Sequence, residues 1–290
     1  MNKNYDYTYT YEYNKKKNRE NTNNFSYINT NHSWHLVDPS PWPLVTAIGA
    51  FTVTFGLVLY MHNYQHGGSL MICGFIILLY SVYMWWRDVV REATLEEQHT
   101  FSVQRSLRLG MLLFIVSEVM FFFAFFWAFF YSSIDATVEV GSIWPPEGLE
   151  VPHFLSIPLL NTLILLLSGA TITISHKRTV MGHRKMSLDY LFITFYLGIF
   201  FLFLQYFEYS ISSFSISDSV YGCCFYMATG FHGLHVFVGA SFILASLYRM
   251  SLYHFTRDGH FGYEACIWYW HFVDVVWVFL YFFVYWWGGR

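Results

Sequence analysis

Residues Arg105 to Tyr131 read RSLRLGMLLFIVSEVMFFFAFFWAFFY, an apolar run with a single carboxylate, Glu118, near its middle. A helix crosses a hydrocarbon core about 30 Å thick with roughly 20 predominantly apolar residues, and this run is long enough. Leu107 and Glu118 are eleven residues apart, which at about 1.5 Å per residue puts the carboxyl group roughly 16 Å along the helix, near the bilayer midplane. Its neighbours at three and four residues are Phe114, Ile115, Phe121 and Phe122, so its own helix supplies no cation. Glu118 is therefore expected to be protonated or to be hydrogen-bonded by another helix. Proton exchange and a polar bridge between helices are the two roles this leaves open.

The same character extends along the chain. Of its 290 residues, 55% are hydrophobic, 22% aromatic and 12% charged, against roughly 25% charged in soluble domains. Repeated uninterrupted runs of this kind exclude a soluble fold, and the absence of strict two-residue alternation argues against a membrane barrel. The expected fold is an all-α membrane protein of seven spans, at roughly 44–62, 69–86, 107–131, 154–175, 188–208, 223–248 and 265–287. Residues 1–31 are rich in Asn, Tyr, Lys and Thr and read as a polar low-complexity tail, leaving 32–290 as the transmembrane domain.

Basic residues orient the spans. The tail holds Lys3, Lys15, Lys16, Lys17 and Arg19, and the second loop Arg87, Arg91, Arg105 and Arg108. The fourth loop holds Lys177, Arg178, Arg184 and Lys185, and the sixth Arg249 and Arg257. The first, third and fifth loops contain no Lys or Arg, so only Arg290 of the 16 basic residues falls on the opposite side. The positive-inside rule then places the N-terminus inside and the C-terminus outside. The third loop carries Asp135, Glu139, Glu147 and Glu150 around Trp144-Pro145-Pro146, an acidic turn-rich segment read as a solvated face.

Polar residues inside the spans are the candidate functional groups. His232 and His235 lie three residues apart among Gly230, Gly233 and Gly239, at about the depth of Glu118, so either histidine can reach it. His271 and Asp274 repeat that spacing in the last span. Trp85, Trp86, Arg87 and Arg91 close the second span as an aromatic belt followed by guanidinium groups. That pattern suits an anionic phospholipid headgroup held by Arg91 with Arg249 or His99. Cys73, Cys223, Cys224 and Cys266 have neither disulfide-framework nor zinc spacing. The Glu96 and His99 pair stands alone in a charged loop. No metal bound by this chain, and no nucleic-acid partner, is expected.

Seven stretches together resemble one family. VDPSPWPL at 37–44, WWRDVVRE at 85–92, VSEVMFFFAFFWAF at 116–129, WPPEG at 144–148, PLLNT at 158–162, ATGFHGLHV at 228–236 and WYWHFVDVVWVFLY at 268–281 are similar to signatures of the subunit 3 family of mitochondrial cytochrome c oxidases. The likeness runs from about residue 32 to the C-terminus; the tail and the segment around His183 depart from it. It implies seven helices with the first two splayed from helices 3–7 around a lipid-filled cleft, and an N-terminus in the mitochondrial matrix. It implies further that Glu118 is the family's intramembrane carboxylate and that Trp86, Arg91, Glu92, His99 and Arg249 lie near lipid headgroups. Haem A and copper would belong to partner subunits 1 and 2, with small accessory subunits and a respiratory supercomplex as further partners.

On that reading the chain is a non-redox core subunit of an oxidase that passes electrons from cytochrome c to oxygen while pumping protons. Its inner surface, with His35, Asp38 and His99, would gather protons, and its apolar cleft would admit oxygen. Two other readings remain. One is an independent proton transporter relaying through Glu118, His232, His235, His271 and Asp274; the other is a scaffold in which Glu118 only bridges helices.

Overall fold

The computed structural model describes residues 34–138, 141–257 and 259–289. The polar tail expected at 1–31 lies outside the described residues, as do Glu139 of the acidic loop and the terminal Arg290. Seven helices are long and apolar enough to cross a membrane, and among the described residues there is no strand. They are α1 (Trp42–Met61), α2 (Gly67–Thr94), α3 (Phe101–Ile134), α4 (Ile157–Val180), α5 (Arg184–Ile211), α6 (Val220–Ser251) and α7 (Phe261–Leu280). The last continues as a π-helical segment, Tyr281–Trp287.

Each expected span overlaps one helix, the last continuing into the π-helical segment, although residues 62 and 154–156 fall outside the helices and most of the helices are longer than their spans. Arg87, Arg91, Arg105 and Arg108, expected in a loop, lie within α2 and α3, and only residues 95–100 separate those helices. Lys177, Arg178, Arg184 and Lys185 likewise belong to α4 and α5, and Arg249 to α6. Hydropathy stops where charge begins; the helix does not. Arg and Lys are good helix formers, and their long stems carry the charge outward while the backbone stays paired.

The described residues divide into two compact units, one ending at Val103 and the other beginning at Gln104. In the first, α1 and α2 form a close hairpin. Its buried helical positions are Gly49 and Gly56 on α1 and Gly67, Gly74 and Ser81 on α2, recurring every seven residues. A Cβ on Gly74 would lie 2.7 Å from the Val53 nitrogen, and one on Gly56 would run into the Met71 backbone. Small residues thus bring two backbones into contact, as packing between membrane helices favours. Thr46 donates to Ser81 Oγ at 3.0 Å and the Trp42 indole to Asp88 Oδ2 at 2.6 Å, which ties the end of α2 to the start of α1. Large side chains such as Phe51, Phe55, Ile72 and Ile76 point outward and are exposed, as lipid-facing surfaces are.

In the second unit α4 packs against α5 and α7, and α6 against the same two helices. Three hydrogen bonds form a ladder between antiparallel α4 and α7, with steps of seven residues on α7 and of six and seven on α4. Trp277 donates to Thr162 at 3.0 Å, Trp270 to Ser168 at 2.9 Å and Tyr263 to Ser175 at 2.6 Å. Each of these three large aromatics of α7 therefore has a small hydroxyl residue of α4 opposite it. The helix α3 meets its neighbours through phenylalanine rings, as in Phe129 with Tyr221 (centroids 6.2 Å apart) and Phe130 with Phe283 (5.0 Å). Glu118 sits on this helix.

Candidate functional site

Glu118 and His235 meet between α3 and α6, with Glu118 Oε2 2.9 Å from His235 Nε2. The other ring nitrogen, Nδ1, lies 2.6 Å from the Phe231 carbonyl oxygen one turn earlier on α6. A carbonyl only accepts, so Nδ1 carries a proton and donates it. A single proton is then left for the bond between Nε2 and the carboxyl. Either Glu118 is a neutral acid donating to a neutral imidazole, or the pair is carboxylate and imidazolium. Both states have zero net charge, which is how an ionisable pair is tolerated at this depth. Phe121, Phe122, Tyr269 and Phe272 surround the imidazole, with ring centroids 5.0–6.4 Å from it. Aromatic rings limit access to water on those sides.

His232 has a different environment from the residue one turn away. It is buried, with Nε2 3.2 Å from the Val273 carbonyl on α7, and its ring packs against Trp277 and Phe201. His271 and Asp274 form a third set: His271 Nδ1 is 3.6 Å from Asp274 Oδ2, and His271 Nε2 is 3.2 Å from Thr173 Oγ1 on α4. Gly169 makes room for the Asp274 carboxyl, since a Cβ there would lie 2.5 Å from Oδ2. The five polar groups singled out from the sequence therefore fall into three sets: Glu118 with His235, His232 with the Val273 carbonyl, and His271 with Asp274 and Thr173.

The first unit brings other sequence candidates together. His35 Nδ1 is 3.9 Å from Glu92 Oε2, and the His35 and His99 ring centroids are 6.5 Å apart. Asp38 is exposed nearby in the chain, as are Trp86 and Arg91 on α2. In the second unit Arg249 is half-buried over the Phe255 ring at 4.5 Å, and its buried Nε has no hydrogen-bond partner among the described residues. Burial, and after it the Arg249 charge, hold the imidazole of His254 in the following loop below its ordinary pKa. All four cysteines are free thiols.

Glu208 is a buried carboxylate that the sequence did not single out. Glu208, near the end of α5, accepts a 2.7 Å hydrogen bond from the Tyr285 hydroxyl on the π-helical segment. Asn161 Nδ2 donates to Gln205 Oε1 at 3.4 Å in the same buried layer. Glu208 Oε2, Gln205 Nε2, Asn161 Oδ1 and the Tyr221 hydroxyl have no partner among the described residues, so the layer suits ordered water. The local pattern Gln205-Tyr206-Phe207-Glu208-Tyr209 is a signal for it, since Gln205 and Glu208 share a helix face.

Residues 32–289 match the family model described as Cytochrome c oxidase subunit III. Similar proteins carry the name Cytochrome c oxidase subunit 3 in Pylaiella littoralis, in Arabidopsis thaliana and in Dugong dugon. The first is 54% identical over 257 residues, 89% of this chain and 94% of the relative. The second is 54% identical over 258 residues, 89% and 97%, and the third 52% over 258 residues, 89% and 98%. With the seven helices, the paired intramembrane carboxyl group and this likeness over most of its length, the chain belongs to the cytochrome c oxidase subunit III family.

Proposed function

We propose that the chain works within cytochrome c oxidase as a non-redox core subunit, supporting assembly, stability, proton uptake and lipid or oxygen access. Membership of the family makes it a subunit of that oxidoreductase complex in the mitochondrial inner membrane. Haem A and copper are held by subunits 1 and 2, and small accessory subunits complete the assembly. The N-terminus faces the matrix and the C-terminus the intermembrane space, as the distribution of basic residues supports.

The observation that carries this reading is the Glu118 and His235 pair, which holds one proton inside a shell of aromatic rings. Such a pair can move its proton between two atoms without creating net charge. Direct contacts join Glu118 to His235, His232 to the Val273 carbonyl and His271 to Thr173. Proton uptake is assigned to the surface formed by His35, Asp38 and His99, with Glu92 beside His35. Phospholipid headgroups are assigned to Trp86, Arg91, Glu92 and His99 on the first unit, and separately to Arg249 on the second, whose unpaired Nε suits a phosphate oxygen.

Glu118→Gln in the assembled oxidase tests the reading. Initial electron transfer is expected to persist while sustained turnover or lipid dependence changes. Complete and immediate loss of activity in a normally assembled complex would overturn it. Copurification of the chain without haem A and copper, in an intact assembly that moves protons, would favour the transporter.

A further inference from the structure

We propose that His176, His260 and Glu264 form a binding site for a divalent metal ion of the zinc class, joining the end of α4 to the start of α7. His176 lies in the penultimate turn of α4, His260 immediately precedes α7, and Glu264 lies one turn into it. The two Nε2 atoms are 3.2 Å apart, His260 Nε2 is 3.6 Å from Glu264 Oε1, and one ligand atom from each residue lies within 4.8 Å of the others. Zinc bonds of about 2.0–2.1 Å in a tetrahedron require ligand atoms roughly 3.3–3.4 Å apart, so a small inward movement of Glu264 completes three corners. Two imidazoles and one carboxylate are borderline donors, which favours zinc over magnesium or calcium.

The tautomer of His260 supports the same assignment. Its Nδ1 lies 3.0 Å from the Thr256 carbonyl oxygen and must donate to it. The Nε2 of the neutral ring therefore presents a lone pair to the other two ligands. A histidine whose second nitrogen donates to a backbone carbonyl is the arrangement that orients metal ligands. In the metal-free protein the lone pair accepts N–H from His176 Nε2; on binding, that proton shifts to His176 Nδ1 and both Nε2 atoms face the ion. His260 is buried, and Glu264 keeps 19% of its side-chain surface exposed, which gives an ion a way in from water.

Arg108 sets the strength of the site. Its Nε donates to Glu264 Oε2 at 2.9 Å, orienting the carboxylate and leaving Oε1 for the ion. Its positive charge opposes a second cation at the same carboxylate. Affinity is thus expected to rise when that charge is removed.

The test uses the intact oxidase containing this chain, stripped with a chelator and titrated with Zn2+ by equilibrium dialysis. The wild type is expected to bind one equivalent more than His176→Ala or His260→Ala, with affinity at this site reduced at least about 100-fold, since losing an outer partner alone costs about 10–100-fold. Arg108→Gln is expected to bind more tightly, which a purely structural histidine contact would not produce. Zinc binding that is unchanged in both histidine variants would overturn the proposal. Should those variants fail to assemble, zinc-edge anomalous diffraction of the wild-type complex decides. Density between the three side chains supports the site, and its absence at saturating Zn2+ overturns it.

Discussion

Glu118 and His235, joined at 2.9 Å, hold one proton between them because the other nitrogen of the ring is committed to the Phe231 carbonyl. Substitutions should therefore divide by what they offer Nε2. Glu118→Gln presents an amide N–H to the lone pair and is expected to assemble with near-normal thermal stability. Glu118→Ala leaves a half-buried nitrogen without a partner, at a cost of about 1–3 kcal/mol. Thermal dissociation of the purified complex reads the difference. Equal melting of the two variants would mean that the bond does not contribute to stability.

Glu208 and Tyr285 should behave as a coupled pair. Glu208→Leu removes the acceptor of a 2.7 Å bond and strands a buried hydroxyl, while Tyr285→Phe strands the carboxyl group. Each single change is expected to destabilise by about 1–3 kcal/mol, whereas the double change removes both partners and should cost less than the sum. A double-mutant cycle on unfolding in detergent measures this. Additive effects would separate the two residues energetically.

The hairpin of α1 and α2 should be intolerant of side chains on its contact face. A Cβ at Gly74 would sit 2.7 Å from the Val53 nitrogen, a contact that only backbone movement can relieve. Gly74→Leu is expected to separate the helices and to cost at least about 1–3 kcal/mol, in the range of overpacked cores. Leu at Gly110, where nothing lies within 4 Å, is the control and should be tolerated. Protease sensitivity of the loop between the two helices distinguishes the variants, and equal sensitivity would remove the packing explanation.

How much of this was legible beforehand depends on where each residue lies in its apolar run. Glu118 stands alone in the middle of one, so its identity and depth follow from local contrast. Its partner did not follow, because choosing His235 over His232 requires the rotation of α6 about its axis, which distant packing against α3 and α7 determines. Glu208 and Glu264 fall where runs end and read as boundaries, although both helices continue past them. Of His176, His260 and Glu264 only the last two are local, four residues apart, whereas His176 is 84 residues from His260 and joins them only through the packing of α4 against α7. The α4 and α7 ladder was likewise hidden, because Ser168 and Trp270 look ordinary until antiparallel packing sets their register.

Trp270, in the middle of that ladder, is held from three helices. It is fully buried and donates to Ser168 on α4. On its other sides, a Cβ at Gly198 of α5 would lie 2.6 Å from Trp270 Cη2, and one at Gly239 of α6 would lie 2.9 Å from Cε3. One indole thus touches three helices, and two contacts exist because glycine leaves the space. Ser168→Ala removes only the hydrogen-bond acceptor and is expected to cost about 0.6–1.7 kcal/mol, the range for bonds between membrane helices. Gly198→Val pushes a branched side chain into the ring and is expected to cost more, about 1–3 kcal/mol or above. Both costs should vanish in a Trp270→Leu background, where the smaller side chain frees the space and no indole N–H remains to be satisfied. There Gly198→Val should become nearly neutral and Ser168→Ala should cost nothing. Unfolding measurements on the four combinations decide, and a Gly198→Val penalty that persists without the indole would show that Trp270 is not what holds α5 in place.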